Sequence, residues 1–290
     1  MNPQVESFRD PLTSTFSYVV YDAPGGHAAI IDPVLDYDSP SARTDTALAD
    51  RLLAFVRKHD LKVDWILETH AHADHLSAGG YLRDQLGAKL AIGRGIITVQ
   101  ERFKQLFNLD PDFVADGSQF DHLFNEGETF TIGGLTGHTL ATPGHTDDSL
   151  TYVIGDAAFI GDTMFAPDTG TARCDFPGGD AHKLYDSIHK IFGLPADTRI
   201  FLCHDYPPGD REPAAQTSVA AQQTSNVHVR DGVSEADFVR MRNERDASLP
   251  EPKLILPALQ VNIRGGRLPP PDGNGISYLR LPLNQIGHDA

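Results

Sequence analysis

The segment Thr69-His70-Ala71-His72-Ala73-Asp74-His75 places three imidazoles and one carboxylate within a few residues. Imidazole nitrogen and carboxylate oxygen are the donors that zinc, iron and manganese accept. Alternate residues of an extended segment face the same way, so His70, His72 and Asp74 are expected to converge on one point. His75 is expected at the start of the next helix, turned toward the other side of that point. Three further candidates lie downstream: His145 in Thr142-Pro143-Gly144-His145-Thr146, Asp162 in Gly161-Asp162, and His204 in His204-Asp205. A lone histidine in any of these places is more often a satisfied polar residue than a ligand. Here each candidate follows an apolar run, and four such coincidences in one chain are far rarer than one.

Those runs are the elements that must position the site. Val63-Asp64-Trp65-Ile66-Leu67 reads as a buried strand that delivers the first cluster. Strands over 135–141, 157–160 and 199–203 deliver His145, Asp162 and His204. Pro143 and Gly144 stop the first of these three and let His145 leave its end. Upstream, 15–21 and 27–31 read as strands around the turn Asp22-Ala23-Pro24-Gly25-Gly26. Leu48, Leu52 and Phe55 or Val56 recur at helical spacing within 45–59. Leu76, Leu82 and Leu86 suggest a helix that Gly87 stops. Residues 90–92 read as a short strand and 96–107 as a helix; 110–127, rich in Asp, Gly and Phe, reads as an irregular loop. Further strands are expected over 129–132 and 150–154, with Gly155-Asp156 as a hairpin turn. Leu184, Ile188 and Ile191 mark a helix, and Ser234 caps another. The Pro-rich stretch 249–257 and the tail from Gly265 are expected to be extended. The expected organisation is a metal-binding core over 1–210 and a C-terminal extension, 211–290, packed on the same domain.

Composition excludes several function classes. A formal net charge of −16 argues against nucleic-acid binding, which needs a basic surface. No apolar run is long enough to span a bilayer, and the N-terminus lacks a basic-then-apolar signal, so a cytoplasmic location is expected. The two cysteines, Cys174 and Cys203, imply a reducing compartment more than a disulfide framework. Cys203 sits in an apolar run and reads as a buried thiol. Cys174 lies in a loop beside Arg173, and its role is open.

Taken in order, His70-Ala71-His72-Ala73-Asp74-His75, Pro143-Gly144-His145-Thr146, Gly161-Asp162 and His204-Asp205 resemble the metal motifs of the metallo-β-lactamase superfamily. That resemblance implies an α/β fold, an αββα sandwich with its metal site at one sheet edge. In two-metal members, the positions of His70, His72 and His145 bind one ion; those of Asp74, His75 and His204 bind the other, and that of Asp162 bridges. A narrower likeness runs through Gly161-Asp162-Thr163-Met164-Phe165, Gly170-Thr171-Ala172-Arg173-Cys174-Asp175-Phe176, Lys183-Leu184-Tyr185-Asp186-Ser187-Ile188-His189 and His204-Asp205-Tyr206. It is similar to the persulfide dioxygenase (sulfur dioxygenase) branch. That branch holds one Fe(II) per chain and oxidises glutathione persulfide with O2 to sulfite and glutathione.

The narrower resemblance carries the catalytic metal ligands to His70, His145 and Asp162, and leaves His72, Asp74, His75 and His204 as second-site positions. Two imidazoles and a carboxylate with open positions suit non-haem Fe(II) oxygenases. Zinc, through mis-metallation or in a hydrolase, has no accessible redox change. The residues alone retain every ligand of a two-metal hydrolase, so the metal choice rests on the resemblance. For the substrate carboxylates, Arg173 is the first candidate, with an ion pair to Asp175 or Asp168 as its alternative. Tyr206 either hydrogen-bonds a ligand or substrate, or packs as an aromatic. Arg264 follows Pro257-Ala258-Leu259-Gln260-Val261-Asn262-Ile263, which resembles a family segment near the pocket; a solvated surface Arg is the alternative. The chain departs from the family in Cys174, where Thr is usual, and in a longer stretch 93–130. Three function classes follow: the iron dioxygenase, with glutathione persulfide and O2 as partners and a homodimer as an open assembly state; a dinuclear glyoxalase II-type hydrolase of glutathione thioesters; and a non-catalytic sulfur carrier using Cys174.

Overall fold

The computed structural model describes residues 2–286. Its N-terminal half runs β1 (Gln4–Arg9), β2 (Phe16–Tyr21), β3 (His27–Ile31), β4 (Val34–Asp38), β5 (Arg43–Asp45), α1 (Ala47–Lys58), β6 (Lys62–Leu67), β7 (Leu76–Ser77), α2 (Gly79–Leu86), β8 (Lys89–Gly93), α3 (Ile96–Leu106) and β9 (His122–Phe124). It continues through β10 (Thr129–Ile132), β11 (Leu135–Ala141), β12 (Leu150–Ile154), β13 (Ala157–Phe159), α4 (Ala181–Phe192), β14 (Arg199–Phe201), β15 (Gln216–Ser218), α5 (Val219–Ser225), α6 (Glu235–Asp246) and α7 (Ile255–Asn262). One sheet has the order β1-β2-β3-β6-β8-β9, a second β10-β11-β12-β13-β14-β15, and β5-β4-β7 form a small third. β3, β6, β8 and β9 are parallel, joined through α1, α2 and α3; β13 and β14 are parallel, joined through α4. Parallel neighbours need crossover connections of this kind.

Side-chain alternation builds the layers. In β2, Val19 and Tyr21 face the helices, while Phe16, Tyr18 and Val20 face the second sheet. In β3, Ala28 and Ile30 take the helix side, and Ala29 and Ile31 the inter-sheet side. Strands buried on both faces read as continuous apolar runs, which is why they were legible. On the far side of the second sheet, Val153, Ala158 and Ile200 pack with Leu184, Ile188 and Ile191 of α4 and Phe238 of α6. The result is helix, sheet, sheet, helix: the expected αββα sandwich. Among the described residues, no helix is long and apolar enough to cross a membrane.

Most expected elements are present within a residue or two. Asp180 caps α4 by accepting from the His182 and Lys183 amides, and Ser234 caps α6 through the Asp237 amide. Three readings need correction, and one edge strand was not read at all. Leu76 lies in β7, paired with Leu35 of β4, and the helix starts only at Gly79, so His75 is not at a helix start. The stretch 110–127 contains β9, which extends the parallel sheet beside β8. Its three residues are too few to show a period. β1 pairs along the whole of β2, and its mixed polar sequence hides an edge strand. Part of the stretch expected to be extended is helical: α7 begins at Ile255, two apolar turns with Pro257 in the first, where proline is tolerated.

Candidate metal centre

Every ligand candidate leaves the same end of the sandwich. The 69–75 segment follows β6, His145 follows β11, Asp162 follows β13 and His204 follows β14. Gly144 makes the second exit with φ 138°, and a side chain there would run into the backbone of Leu184. Only glycine fits that turn.

The loop after β6 is bent rather than extended, so His70, His72 and Asp74 do not converge on one point. His70, His145 and Asp162 form one group, with ligand atoms within 4.8 Å of one another. Asp162 Oδ2 lies 3.8 Å from His70 Nε2 and 3.7 Å from His145 Nε2. Its Oδ1 faces the other way, 3.3 Å from His204 Nε2, which is also 3.1 Å from Asp74 Oδ2. A second group of His72, Asp74, Asp162 and His204 adjoins the first, and His75 joins His72, Cys203 and His204. His72 is absent from the first group. Its Nε2 lies 3.1 Å from Asp32 Oδ1.

Hydrogen bonds fix the tautomers of the first group. His145 Nδ1 donates to the Arg173 carbonyl at 2.8 Å, which leaves Nε2 with its lone pair. Thr69 Oγ1 donates to Asp32 Oδ2 at 2.9 Å, so it accepts from His70 Nδ1 at 3.1 Å. His70 Nε2 is then also free to act as a ligand. Such outer partners orient metal-binding histidines. Burial, with the neighbouring imidazole second, holds His70 and His72 well below the ordinary imidazole range. Burial, with the Asp74 carboxylate second, pushes the Asp162 carboxyl up. A bound cation reverses that balance.

Orphaned atoms test whether an ion fits. The Nε2 atoms of His70, His75 and His204, both ring nitrogens of His72, and single oxygens of Asp74 and Asp162 are buried without hydrogen-bond partners. Buried polar atoms are ordinarily satisfied, so this many around one point is the signature of a cation site. The donor set suits it.

Three side chains outside the motifs pin the ligand loop. Asp32 accepts from the Thr69 amide at 2.7 Å, and Asp148 from the Ala71 amide at 2.8 Å. Asn262, in α7, donates to the His72 and His75 carbonyls and accepts from the Ser77 amide, each at 2.8 Å. Asp32 follows β3 as the ligands follow their strands, and that signal could have found it. Asn262 lies in the 257–263 segment flagged by resemblance, but nothing local marks its side chain as the one that reaches the loop.

A cleft of about 480 Å³ opens over the group, within the size range of small-molecule sites. Asp74, His145 and Asp162 lie at its floor, with Phe165, Phe176, Tyr206, His228, Arg242 and Arg245 among its walls. Tyr206 stacks on His204, ring planes 10° apart, and is 48% exposed. Arg173 lines the cleft but its fork is engaged: Nε and Nη2 hold Asp175, Nη1 donates to the Pro250 carbonyl, and the guanidinium covers Phe176. Its ion-pair reading is thus the one seen. Arg264 is not among the residues lining the cleft; it lies over the Phe113 ring at 4.5 Å. Cys174 is buried, and burial pushes its thiol up, which disfavours a carrier thiolate.

Residues 10–204 match the family model described as the metallo-beta-lactamase superfamily. A protein named "Probable metallo-hydrolase" from Burkholderia pseudomallei (strain 1710b) is 51% identical, covering 97% of this chain and 99% of its own. "Glyoxylase B2" of Dictyostelium discoideum is 47% identical over 98% of both chains. "Persulfide dioxygenase ETHE1, mitochondrial" of Homo sapiens is 31% identical over 89% of this chain and 86% of that one. Further relatives named beta-lactamase hydrolase-like proteins are longer, and the chain spans 65% of their length. Among solved structures, ETHE1 from Myxococcus xanthus superposes with TM-score 0.73 and 31% identity, covering 91% of this chain and all of that one.

Proposed function

The chain belongs to the metallo-β-lactamase superfamily, and from that premise we propose that this metal-dependent enzyme is an iron-dependent persulfide dioxygenase. It oxidises glutathione persulfide with O2 to sulfite and glutathione. The observation that carries the reading is the composition of the first group. His70, His145 and Asp162 stand together, while His72 groups instead with Asp32 and, on the other side of Asp162, with Asp74 and His204. Two imidazoles and one carboxylate on one face are the ligand set of non-haem Fe(II) oxygenases, with positions left for two small partners. Fe(II) held there supplies the redox change that zinc lacks.

The chain's own residues do the rest. The Arg173 carbonyl and Thr69 hydroxyl hold the two imidazoles in the ligating tautomer. Phe165 and Phe176 give the cleft apolar walls that exclude water from the reacting sulfur. The cleft admits the substrate to the floor where His145 and Asp162 lie, which supplies proximity.

A second reading has its own support. Asp162 is shared between two adjoining ligand groups, as a bridging carboxylate would be. The relatives of about half identity carry hydrolase and glyoxylase names, so kinship by sequence favours a dinuclear hydrolase of glutathione thioesters. One experiment separates the two. Protein from iron-supplied cells is analysed for metal and given glutathione persulfide in an oxygen electrode. The dioxygenase reading expects one iron per chain and O2 uptake. Asp74→Ala and His75→Ala should keep one metal and lose roughly 10–100-fold in rate. Two bound metals, thioester hydrolysis and no O2 uptake would refute it.

A further inference from the structure

We propose that Arg242 and Arg245 of α6, with His228 of the turn after α5, form an anion subsite on one wall of the cleft, and that it takes a free carboxylate of the thiol substrate. The proposal rests on the glutathione reading above and adds the residues that select it. In a chain of net charge −16, the disposition of cations in the cleft is decisive. Three arginines line it. Arg173 is held by Asp175 and the Pro250 carbonyl. Arg242 is held by Asp246 and the Thr171 carbonyl. Arg245, in the last turn of α6, has no side-chain partner among the described residues and is exposed. It is the cleft arginine with its fork free for a carboxylate.

His228 supplies a neutral donor beside it. The Thr171 amide donates to His228 Nδ1 at 3.0 Å. A backbone amide can only donate, so Nδ1 is unprotonated and Nε2 carries the hydrogen. The ring lines the cleft, and the His228 backbone is tied to Asn226 Oδ1 at 2.9 Å. Gly170, at φ 103°, makes room: a side chain there would collide with the imidazole. Burial first, then Arg242 and Arg245, push the His228 pKa down to about 4, so the neutral Nε2–H form persists at neutral pH. Arg242, Arg245 and His228 line the same cleft, and Thr171 joins two of them: its amide donates to His228 Nδ1 and its carbonyl accepts from Arg242. Arg242 adds a third observation. It is 1% exposed, and its Nε is buried without a partner. A buried charged donor left unmet is costly, and an anion seated on this wall lowers that cost.

Titration calorimetry of the metal-loaded protein with glutathione, and with glutathione diethyl ester, which has no free carboxylate, tests the subsite. Arg245→Ala should weaken glutathione binding about tenfold, the scale of one charge-assisted hydrogen bond, and leave the ester unchanged. Arg245→Lys should recover part, because Lys lacks the planar fork. His228→Ala should weaken glutathione binding too, with His228→Gln restoring some of it through its amide N–H. Equal glutathione affinity in wild type and Arg245→Ala overturns the subsite, as does an equal loss for the ester, or no glutathione binding by the wild type. Failure of the dioxygenase reading looks different: no O2 uptake, with the carboxylate-dependent binding pattern intact.

Discussion

Asn262→Ala tests how the C-terminal part of the chain holds the ligand loop. The side chain is 4% exposed and makes three hydrogen bonds of 2.8 Å to loop backbone: to the carbonyls of His72 and His75 and from the amide of Ser77. A buried hydrogen bond contributes about 1 kcal/mol net, and an abandoned buried partner costs about 1–3 kcal/mol. Three bonds therefore set a floor of about 3 kcal/mol. Partial collapse and water entry keep the loss near 5 kcal/mol at most, since buried groups that water can reach are no longer orphaned. Denaturant unfolding in metal-saturated and metal-stripped protein should show the loss in both, because the contacts do not pass through the ion. A melting temperature lower by about 6–10 °C is the thermal equivalent for a domain of this size. Asn262→Asp should be at least as harmful, since a carboxylate cannot donate to two carbonyls and brings a buried charge. The folded Asn262→Ala protein should still hold one metal, because Asp32 and Asp148 fix the Thr69 and Ala71 amides around His70 independently. A variant within about 0.5 kcal/mol of wild type, the ordinary surface-mutation range, would refute the pinning role.

His145→Ala should abolish metal retention and turnover, because it removes one of three ligands; near-normal metal content by elemental analysis would take His145 out of the site. Arg173→Ala should lower unfolding free energy by about 1–2 kcal/mol through its partly exposed pair with Asp175, its bond to the Pro250 carbonyl and its cover of Phe176, with little change in the KM for glutathione persulfide; a raised KM at unchanged stability would restore it as a substrate anchor. His228 has a folded-state pKa depressed to about 4, so its contribution to stability is present above its unfolded value and disappears as pH falls toward 4. The stability of His228→Gln should therefore decline less than wild type between pH 7 and pH 4.5, by about 1 kcal/mol once solvent screening of the half-buried ring is allowed for, in urea unfolding at each pH; parallel declines would show that His228 is not held neutral.

What the sequence determined by itself is the set of metal-ligating residues and the frame that presents it. The ligand motifs are local in the chain, and each follows a strand: a largely apolar run in β6, β13 and β14, and in β11 an alternating pattern stopped by Pro143-Gly144, so the element and the point where a polar side chain leaves it were both announced. Residues at the ends of β6, β11, β13 and β14 were therefore legible, as were α1, α3 and α4 from their 3.6-residue stripes. What only the tertiary structure decided is how the ligands divide. The bent loop after β6 sends His70 to Asp162 and His145, and His72 to Asp32 and to the adjoining group of Asp74, Asp162 and His204. The extended-segment expectation could not see this, because the bend is imposed by Asp32, Asp148 and Asn262, brought from three distant segments. The same holds for the cleft. Arg173 pairs within its own turn, Arg264 packs over Phe113, and Arg245 and His228 reach the opening from beyond residue 211. A charge pattern along the chain does not say which cation finds a carboxylate and which is left free. That depends on side chains meeting across elements, and only the packed fold fixes those meetings.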